Sequence, residues 1–180
     1  TRAASSMRVE AHSTPQPSRR RETLGVSSMR KVSSAVDLAT PVLAQEHDWD
    51  CGLACAQMAL RALGQPPDAV HHAALRAKLD SDDVWTIDIL FLLNAFGVHA
   101  DYFTSSWGCA LDHATKPFYG SSHPKDFERV RCLFELAKAE GMSVRTATFS
   151  AKELWDTLRH DDHMLLAPVD LRYLYPDAHA

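Results

Sequence analysis

The segment that most constrains this chain is a helix start, at which polar and aromatic residues 45–50 give way to an apolar run. Asp50 suits the N-cap position because its carboxylate can accept hydrogen bonds from the free N–H groups of the first helical turn. Cys51 then takes the first helical position, where the positive end of the helix dipole favours a thiolate. The pattern therefore predicts a nucleophilic cysteine at the start of a helix.

A second candidate residue precedes this cysteine. Gln45 lies six residues before Cys51 and carries an amide that can donate hydrogen bonds. If the chain folds back here, that amide can stabilise an oxyanion forming beside Cys51. The alternative interpretation is that Cys51 is a small buried apolar residue, the commoner role of a helical cysteine. Cys55, one helical turn further on, is predicted to pack in the core.

Composition narrows the class of protein. A length of 180 residues suffices for one domain with a core, and 46% hydrophobic with 23% charged residues is typical of a soluble globular protein. No apolar run reaches the roughly 18 residues of a membrane span. Four cysteines without a CxxC pair indicate neither a disulfide framework nor a zinc site. With no secretory signal visible, we expect a cytoplasmic location and no metal held by the cysteines.

Charge is distributed unevenly along the chain. Residues 1–40 contain seven Lys/Arg and three Asp/Glu, whereas residues 41–180 contain twelve and twenty, so their net charges are +4 and −8. An acidic folded part predicts no nucleic-acid partner. Because residues 1–40 are rich in Ser, Arg, Thr and Pro, they are predicted to be a disordered leader. An organelle transit peptide is the alternative, since such segments are also rich in Arg and Ser.

Periodicity and turn residues predict helices over residues 51–63, 68–79, 87–96, 126–140 and 151–159, and strands over residues 98–104, 142–149 and 164–169. Asp68, Thr86 and Ser150 are the predicted N-caps, and Asp88 is expected to favour a helix N-terminus without a catalytic role. His71 and His72 are both predicted at the surface. Helices first and then strands interleaved with helices indicate an α+β fold over residues 41–170, followed by an irregular tail at 171–180.

Several strings of residues then resemble a known family. They are Trp49-Asp50-Cys51-Gly52-Leu53-Ala54-Cys55, Trp85-Thr86-Ile87-Asp88, and the later Arg129-Val130 and Leu133-Phe134 pairs. Together they resemble the guanylyl cyclase domain-containing proteins, which comprise the soluble plant guanylyl cyclases and their animal relatives. The resemblance covers roughly residues 42–170. It implies conversion of GTP to cyclic GMP, with Mg²⁺ or Mn²⁺ as the expected cofactor.

The Gln-x5-Cys-Gly opening also resembles the papain-like peptidases that cleave bacteriocin leaders. That resemblance implies a papain-like fold, a peptide substrate, Cys51 as nucleophile and Gln45 as oxyanion donor. Such a site also needs a His base and an orienting Asp or Asn. No Gly-His-apolar string of the resembled kind follows Cys51. The chain is therefore expected to be C-terminally truncated, and an inactive thiol hydrolase descendant or a non-catalytic interaction module remains open beside the cyclase.

Overall fold

The computed structural model describes residues 6–10, 39–47, 49–81, 83–108, 123–159 and 163–169. Most of the predicted leader and the predicted tail at 171–180 lie outside these residues. The helices are α1 (Cys51–Ala62), α2 (His72–Arg76), α3 (Thr86–Ala95), α4 (His123–Ala139) and α5 (Ala151–Leu158), with a 3-10 turn at Pro67–Ala69. The strands are β1 (Ser6–Glu10), β2 (His99–Thr104), β3 (Val144–Thr146) and β4 (His163–Leu166).

The described strands form one sheet in the order β3-β2-β1-β4. Strand β1 pairs antiparallel with both β2 and β4, whereas β2 and β3 run parallel. The mixture of helices and strands confirms the predicted α+β class. The leader prediction needs a correction at residues 6–10, because this segment supplies a strand between β2 and β4 instead of remaining irregular. Its backbone groups gain ladder partners that the leader's composition did not indicate.

The hydrophobic core is built around α3. Its buried residues Ile87, Leu90, Leu92 and Leu93 point in several directions, so the helix is covered on most sides, as its sequence predicted. Side chains from neighbouring elements complete this core, including Leu53 and Leu60 of α1, Leu75 of α2, Tyr102 of β2, and Val130 and Phe134 of α4. The burial of each large apolar side chain contributes about 1.5–3 kcal/mol, so this cluster fixes the relative positions of α1, α3 and α4.

Gly52 follows Cys51 at a point where α1 lies close to α3. A Cβ atom placed on Gly52 would lie 3.0 Å from Cδ1 of Ile89. This contact is tighter than ordinary van der Waals separation, so a side chain at residue 52 would require the end of the Ile89 side chain to shift. The glycine of the Cys51-Gly52 pair therefore has a packing role.

The predicted helix over residues 68–79 is wrong. The chain instead forms the 3-10 turn Pro67–Ala69 and the short helix α2, which begins after His71. The backbone of His71 is extended and its Nδ1 accepts a hydrogen bond from the N–H of Ala74. His71, not Asp68, is therefore the N-cap of the helix that carries His72.

Other predicted boundaries shift by a few residues. Helix α3 begins at Thr86 with Trp85 as its N-cap, one residue earlier than predicted. Strand β3 is limited to Val144–Thr146, and β4 ends at Leu166 before Pro168. The capping box at the start of α5 is confirmed, because Ser150 Oγ accepts from the N–H of Glu153 and the Glu153 carboxylate accepts from the N–H of Ser150.

Candidate functional site

Cys51 is the first residue of α1, and its side chain is exposed. This placement agrees with the predicted helix start and does not support the alternative of a buried apolar cysteine. The thiol therefore stands at the positive end of the α1 dipole and is accessible to a reactant.

Asp50 precedes this cysteine and is completely buried. It occupies the N-cap position, but its side chain makes no hydrogen bond to the first turn of α1, so the predicted carboxylate cap is wrong. Its two oxygens instead accept from the N–H groups of Glu46, at 3.2 Å, and His47, at 3.1 Å. The carboxylate turns backward because the loop of residues 46–50 presents unpaired N–H groups that a buried acceptor can satisfy.

The same carboxylate also contacts a histidine from the next helix. Nε2 of His72 lies 2.8 Å from Oδ2 of Asp50, and only 16% of the His72 side chain is exposed. The N–H direction at Nε2 is poorly aligned for a hydrogen bond, so this contact is a short ion pair when His72 is protonated. The prediction that His72 is a surface residue is therefore wrong. Residue spacing on one helix could not reveal its partner, which lies on a different element.

Two further groups surround this histidine. The ring of His47 meets that of His72 edge to face, with centroids 5.8 Å apart, and stacks on Trp49 at 5.3 Å. The carboxylate of Glu46 lies 3.5 Å from Nδ1 of His72. The segment before Cys51 is thus a polar and aromatic cluster around a buried Asp–His pair.

The predicted oxyanion donor has a different local partner. Gln45 is exposed, and its amide Nε2 donates to the carbonyl oxygen of His47 at 2.8 Å. This bond lies within the loop and uses one of the two amide hydrogens. The structure therefore places Gln45 on the segment that precedes α1 and Cys51, and the oxyanion role stays a prediction.

Cys55 differs from Cys51 in its environment. Its side chain is half-buried and does not belong to the hydrophobic core, so the predicted core position is not confirmed. Burial raises the pKa of the Cys55 thiol, and the nearby Cys51 raises it further when that thiol is ionised. Cys55 is therefore a poor nucleophile beside its exposed neighbour.

A second polar cluster joins α3 to α4. Arg129 donates from Nη1 to Oδ1 of Asp88 at 2.5 Å and from Nε to Oδ1 of Asp126 at 3.0 Å. Oδ2 of Asp126 accepts from Nε1 of Trp85 at 3.2 Å, and Oδ2 of Asp88 accepts from the N–H of Trp85 at 2.7 Å. The two carboxylates are thus committed to internal partners.

The pKa values in this cluster reflect burial and pairing. Burial raises the pKa of Asp88, and the hydrogen bonds from Arg129 and the Trp85 N–H offset part of that effect. Burial disfavours the charge on Arg129, yet its hydrogen bonds to Asp88 and Asp126 hold its pKa above the usual range. Arg129 consequently stays charged and compensates two acids. These contacts give Asp88 a structural role at the start of α3. Its pairing with Arg129 was not predicted from the sequence.

A cavity of about 240 Å³ opens on another side of the domain. It lies between the C-terminal half of α3, the start of β2 and the turn from α4 to β3. The polar residues that line it are Asn94, His99, Asp101, Glu140 and Ser143. Sequence reasoning singled out none of them as a site residue, because they come from three distant segments.

Metal-binding side chains are not grouped in the part of the chain that the structure describes. No three His, Cys, Asp or Glu residues lie close enough there to hold a metal ion. Asp88 and Asp126, two buried acids, already share Arg129. Among the same residues, no helix is long and apolar enough to cross a membrane.

Fold and site together define an α+β protein with an exposed cysteine at a helix start, preceded by a buried aspartate that contacts a half-buried histidine. Residues 40–180 match the profile of the family described as guanylylate cyclase, so the chain belongs to that family. The chain is also similar to a protein named guanylyl cyclase 1 from Arabidopsis thaliana, with 31% identity over 137 residues. That alignment covers 76% of this chain and 49% of the relative. No solved structure matches the chain.

Proposed function

We propose that this chain is part of a guanylyl cyclase that converts GTP to cyclic GMP. The observation that carries the proposal is the family match over residues 40–180. The similarity to a relative named guanylyl cyclase 1 supports it, although the chain spans about half the length of that relative. In this reaction the ribose 3′-hydroxyl attacks the α-phosphorus of GTP, and pyrophosphate leaves.

Such a reaction normally uses a divalent cation to neutralise the developing charge. The described residues do not fit one, since the closest buried acids, Asp88 and Asp126, are held by Arg129. We therefore assign no step to a metal. The residues that the structure describes can instead contribute by binding and orienting the nucleotide.

Incubation of the protein with GTP and either Mg²⁺ or Mn²⁺ tests the proposal, with cyclic GMP detected by mass spectrometry. We expect cyclic GMP from GTP, no cyclic AMP from ATP, and the same rate in the Cys51→Ala variant. The variant matters because cyclase chemistry needs no thiol. The absence of cyclic GMP from folded protein with either cation would contradict the proposal.

A second candidate is a papain-like thiol hydrolase, and the Asp50–His72 pair favours it. In this proposal the Cys51 thiolate attacks a substrate carbonyl carbon, and Gln45 donates a hydrogen bond to the oxyanion. His72, held by Asp50 at 2.8 Å, is the candidate that protonates the leaving group, and water then hydrolyses the acyl-enzyme. The support for this candidate is therefore the contact between His72 and Asp50, the residue that precedes Cys51, which the sequence analysis did not predict.

Alkylation by iodoacetamide at slightly acidic pH tests the thiol candidate. Cys132 is the matched control because it is also exposed but lies within α4, away from a helix start. We expect Cys51 to react faster than Cys132, and His72→Ala to reduce that difference. Equal rates for the two thiols would exclude an activated Cys51. If neither assay gives activity, the non-catalytic interaction module becomes the better account of the fold.

A further inference from the structure

The cavity between α3, β2 and the α4–β3 turn has a polar lining without a positive charge. Among the described residues that line it, none is Lys or Arg, whereas Asp101 and Glu140 carry carboxylates. A phosphate group is disfavoured here, because the two carboxylates lie in the lining itself and Arg145, which lies 3.5 Å from Asp101, is outside it. The lining instead suits a neutral ligand that offers hydrogen-bond donors.

The size of the cavity sets a second limit. Pockets for drug-sized ligands measure roughly 300–1,000 Å³, whereas this one measures about 240 Å³. It can therefore enclose a flat ring system but not a whole nucleoside triphosphate. Leu90, Ala100 and Met142 supply apolar surface for the ring faces, and the remaining parts of a nucleotide would extend into solvent.

We propose that this cavity binds the guanine base of a nucleotide, with the Glu140 carboxylate accepting hydrogen bonds from guanine N1–H and N2–H₂. These two donors lie side by side on one edge of the base, and a carboxylate can accept both at once. Glu140 is exposed at the end of α4, so its oxygens can turn toward the cavity. The inference rests on the proposed cyclase function, to which it adds the location of the base.

Other lining groups can hydrogen-bond to the acceptor atoms of guanine. The Asn94 amide can donate to O6 or N7 of the base. The Ser143 hydroxyl is buried at the cavity wall, and it has no hydrogen-bond partner among the described residues. Buried polar atoms without a partner are rare in proteins, and rotation of this side chain into the cavity would let an acceptor atom on a ligand supply the missing bond. Asp101 is partly engaged already, because Nη2 of Arg145 lies 3.5 Å from its Oδ1.

The same geometry discriminates against adenine. Adenine presents the unprotonated acceptor N1 beside its amino group, so one carboxylate oxygen would face a lone pair instead of a donor. A site that leaves charged groups unpaired rejects the wrong ligand strongly. We therefore expect guanosine to bind more tightly than adenosine by about tenfold or more.

Ligand-detected NMR with guanosine and adenosine tests this inference on the intact chain, because neither nucleoside carries a phosphate. Glu140→Gln replaces one acceptor oxygen with a donor and should weaken guanosine binding by about tenfold. Glu135→Gln is the matched control, since it removes an equal charge from an exposed position on α4 outside the cavity lining. Thermal unfolding of each variant verifies that the fold is unchanged. Asn94→Ala, at a second exposed position in the lining, should also weaken guanosine binding.

Equal binding of the two nucleosides, no binding of guanosine, or an unchanged guanosine affinity in Glu140→Gln would overturn the inference. The cyclic GMP assay separates this outcome from failure of the proposed function. Cyclic GMP formation without Glu140-dependent guanosine binding would retain the cyclase and reject the cavity. Guanosine binding that depends on Glu140 without cyclic GMP formation would retain the cavity as a guanine site and reject the cyclase.

Discussion

Arg129 and Asp88, separated by 41 residues in the sequence, form a two-point contact that fastens α4 to the start of α3. Nη1 and Nη2 of Arg129 donate to Oδ1 and Oδ2 of Asp88 at 2.5 and 3.2 Å. Planar, bidentate geometry of this kind is specific to arginine. The Trp-Thr-Ile-Asp string that carries much of the family resemblance therefore has a structural role, since its Trp and Asp are both partners in this junction.

Replacement of Arg129 by Ala should destabilise the fold by about 3–5 kcal/mol, because it leaves two largely buried acids without compensation. Urea-induced unfolding measures this change in the free energy of unfolding. Arg131→Ala is the control, since Arg131 pairs with Glu128 on the same helix but both side chains are exposed. Its effect should be much smaller. Equal effects of the two substitutions would show that the junction contributes no more than a surface ion pair.

Asp50→Ala should destabilise the loop before Cys51, because it leaves the N–H groups of Glu46 and His47 without their acceptor. These hydrogen bonds are partly buried, so their loss is expected to cost about 1 kcal/mol. Asp50→Asn retains one acceptor oxygen and should cost less. Thermal unfolding of both variants measures the difference, and an Asp50→Ala protein as stable as the unmodified chain would refute the role of this carboxylate.

Substitution of Gly52 should become more harmful as the side chain grows. Gly52→Ala gains helix propensity but brings its Cβ to 3.0 Å from Cδ1 of Ile89, so the two effects oppose each other. Gly52→Val adds two methyl groups and should cost about 1–3 kcal/mol through overpacking. Ile89→Val shortens the opposing side chain and should restore part of the stability in the double variant. Additive effects in that variant would argue against a direct contact between residues 52 and 89.

The capping box of α5 should weaken in acid. Hydrogen bonds from the N–H and hydroxyl of Ser150 lower the pKa of Glu153. A carboxyl group with a lower pKa in the folded than in the unfolded state binds fewer protons when folded. Its stabilising contribution is therefore complete above the unfolded pKa and is lost as the pH falls through the folded pKa.

Hydrogen exchange of the Leu154 amide, which donates to the Ser150 carbonyl, reports this effect locally. At neutral pH, Glu153→Gln should exchange faster than the unmodified protein after correction for intrinsic rates. The difference between the two should shrink toward acidic pH. A difference that is independent of pH would mean that the ionised carboxylate is not what stabilises the cap.

Cys55 should remain slow to alkylate even when Cys51 is removed. Burial raises the pKa of Cys55 most strongly, and ionised Cys51 makes a smaller contribution. Cys51→Ser should therefore accelerate Cys55 alkylation only slightly, so that it stays slower than the alkylation of exposed Cys132. Mass spectrometry of the labelled peptides over a range of pH measures three alkylation rates: that of Cys55 in the unmodified protein, that of Cys55 in the variant, and that of Cys132. A Cys55 that becomes as reactive as Cys132 would show that burial is not the dominant cause.

The sequence by itself determined the local features of this protein. The capping box at Ser150 follows from a signal of four neighbouring residues, and the α+β class follows from the order of predicted helices and strands. The position of the α1 start at Cys51 was also predicted correctly, although the Asp50 carboxylate does not cap the helix. The prediction of one helix over residues 68–79 was wrong because the helix begins after His71. The imidazole of His71, and not the carboxylate of Asp68, accepts a hydrogen bond from the first turn, at the N–H of Ala74. Sequence preferences for capping rank residue types but do not record which backbone N–H lies within reach.

Only the tertiary structure decided which polar groups meet. Asp50 turned from its own helix toward His72, Arg129 joined Asp88 to Asp126, and β1 inserted between β2 and β4. Asp50 and His72, and likewise Asp88 and Arg129, come from different elements, and the packing of apolar faces around α3 decides whether they meet. A buried charge takes whichever partner this packing brings close, because leaving it unpaired costs more than any local preference can supply.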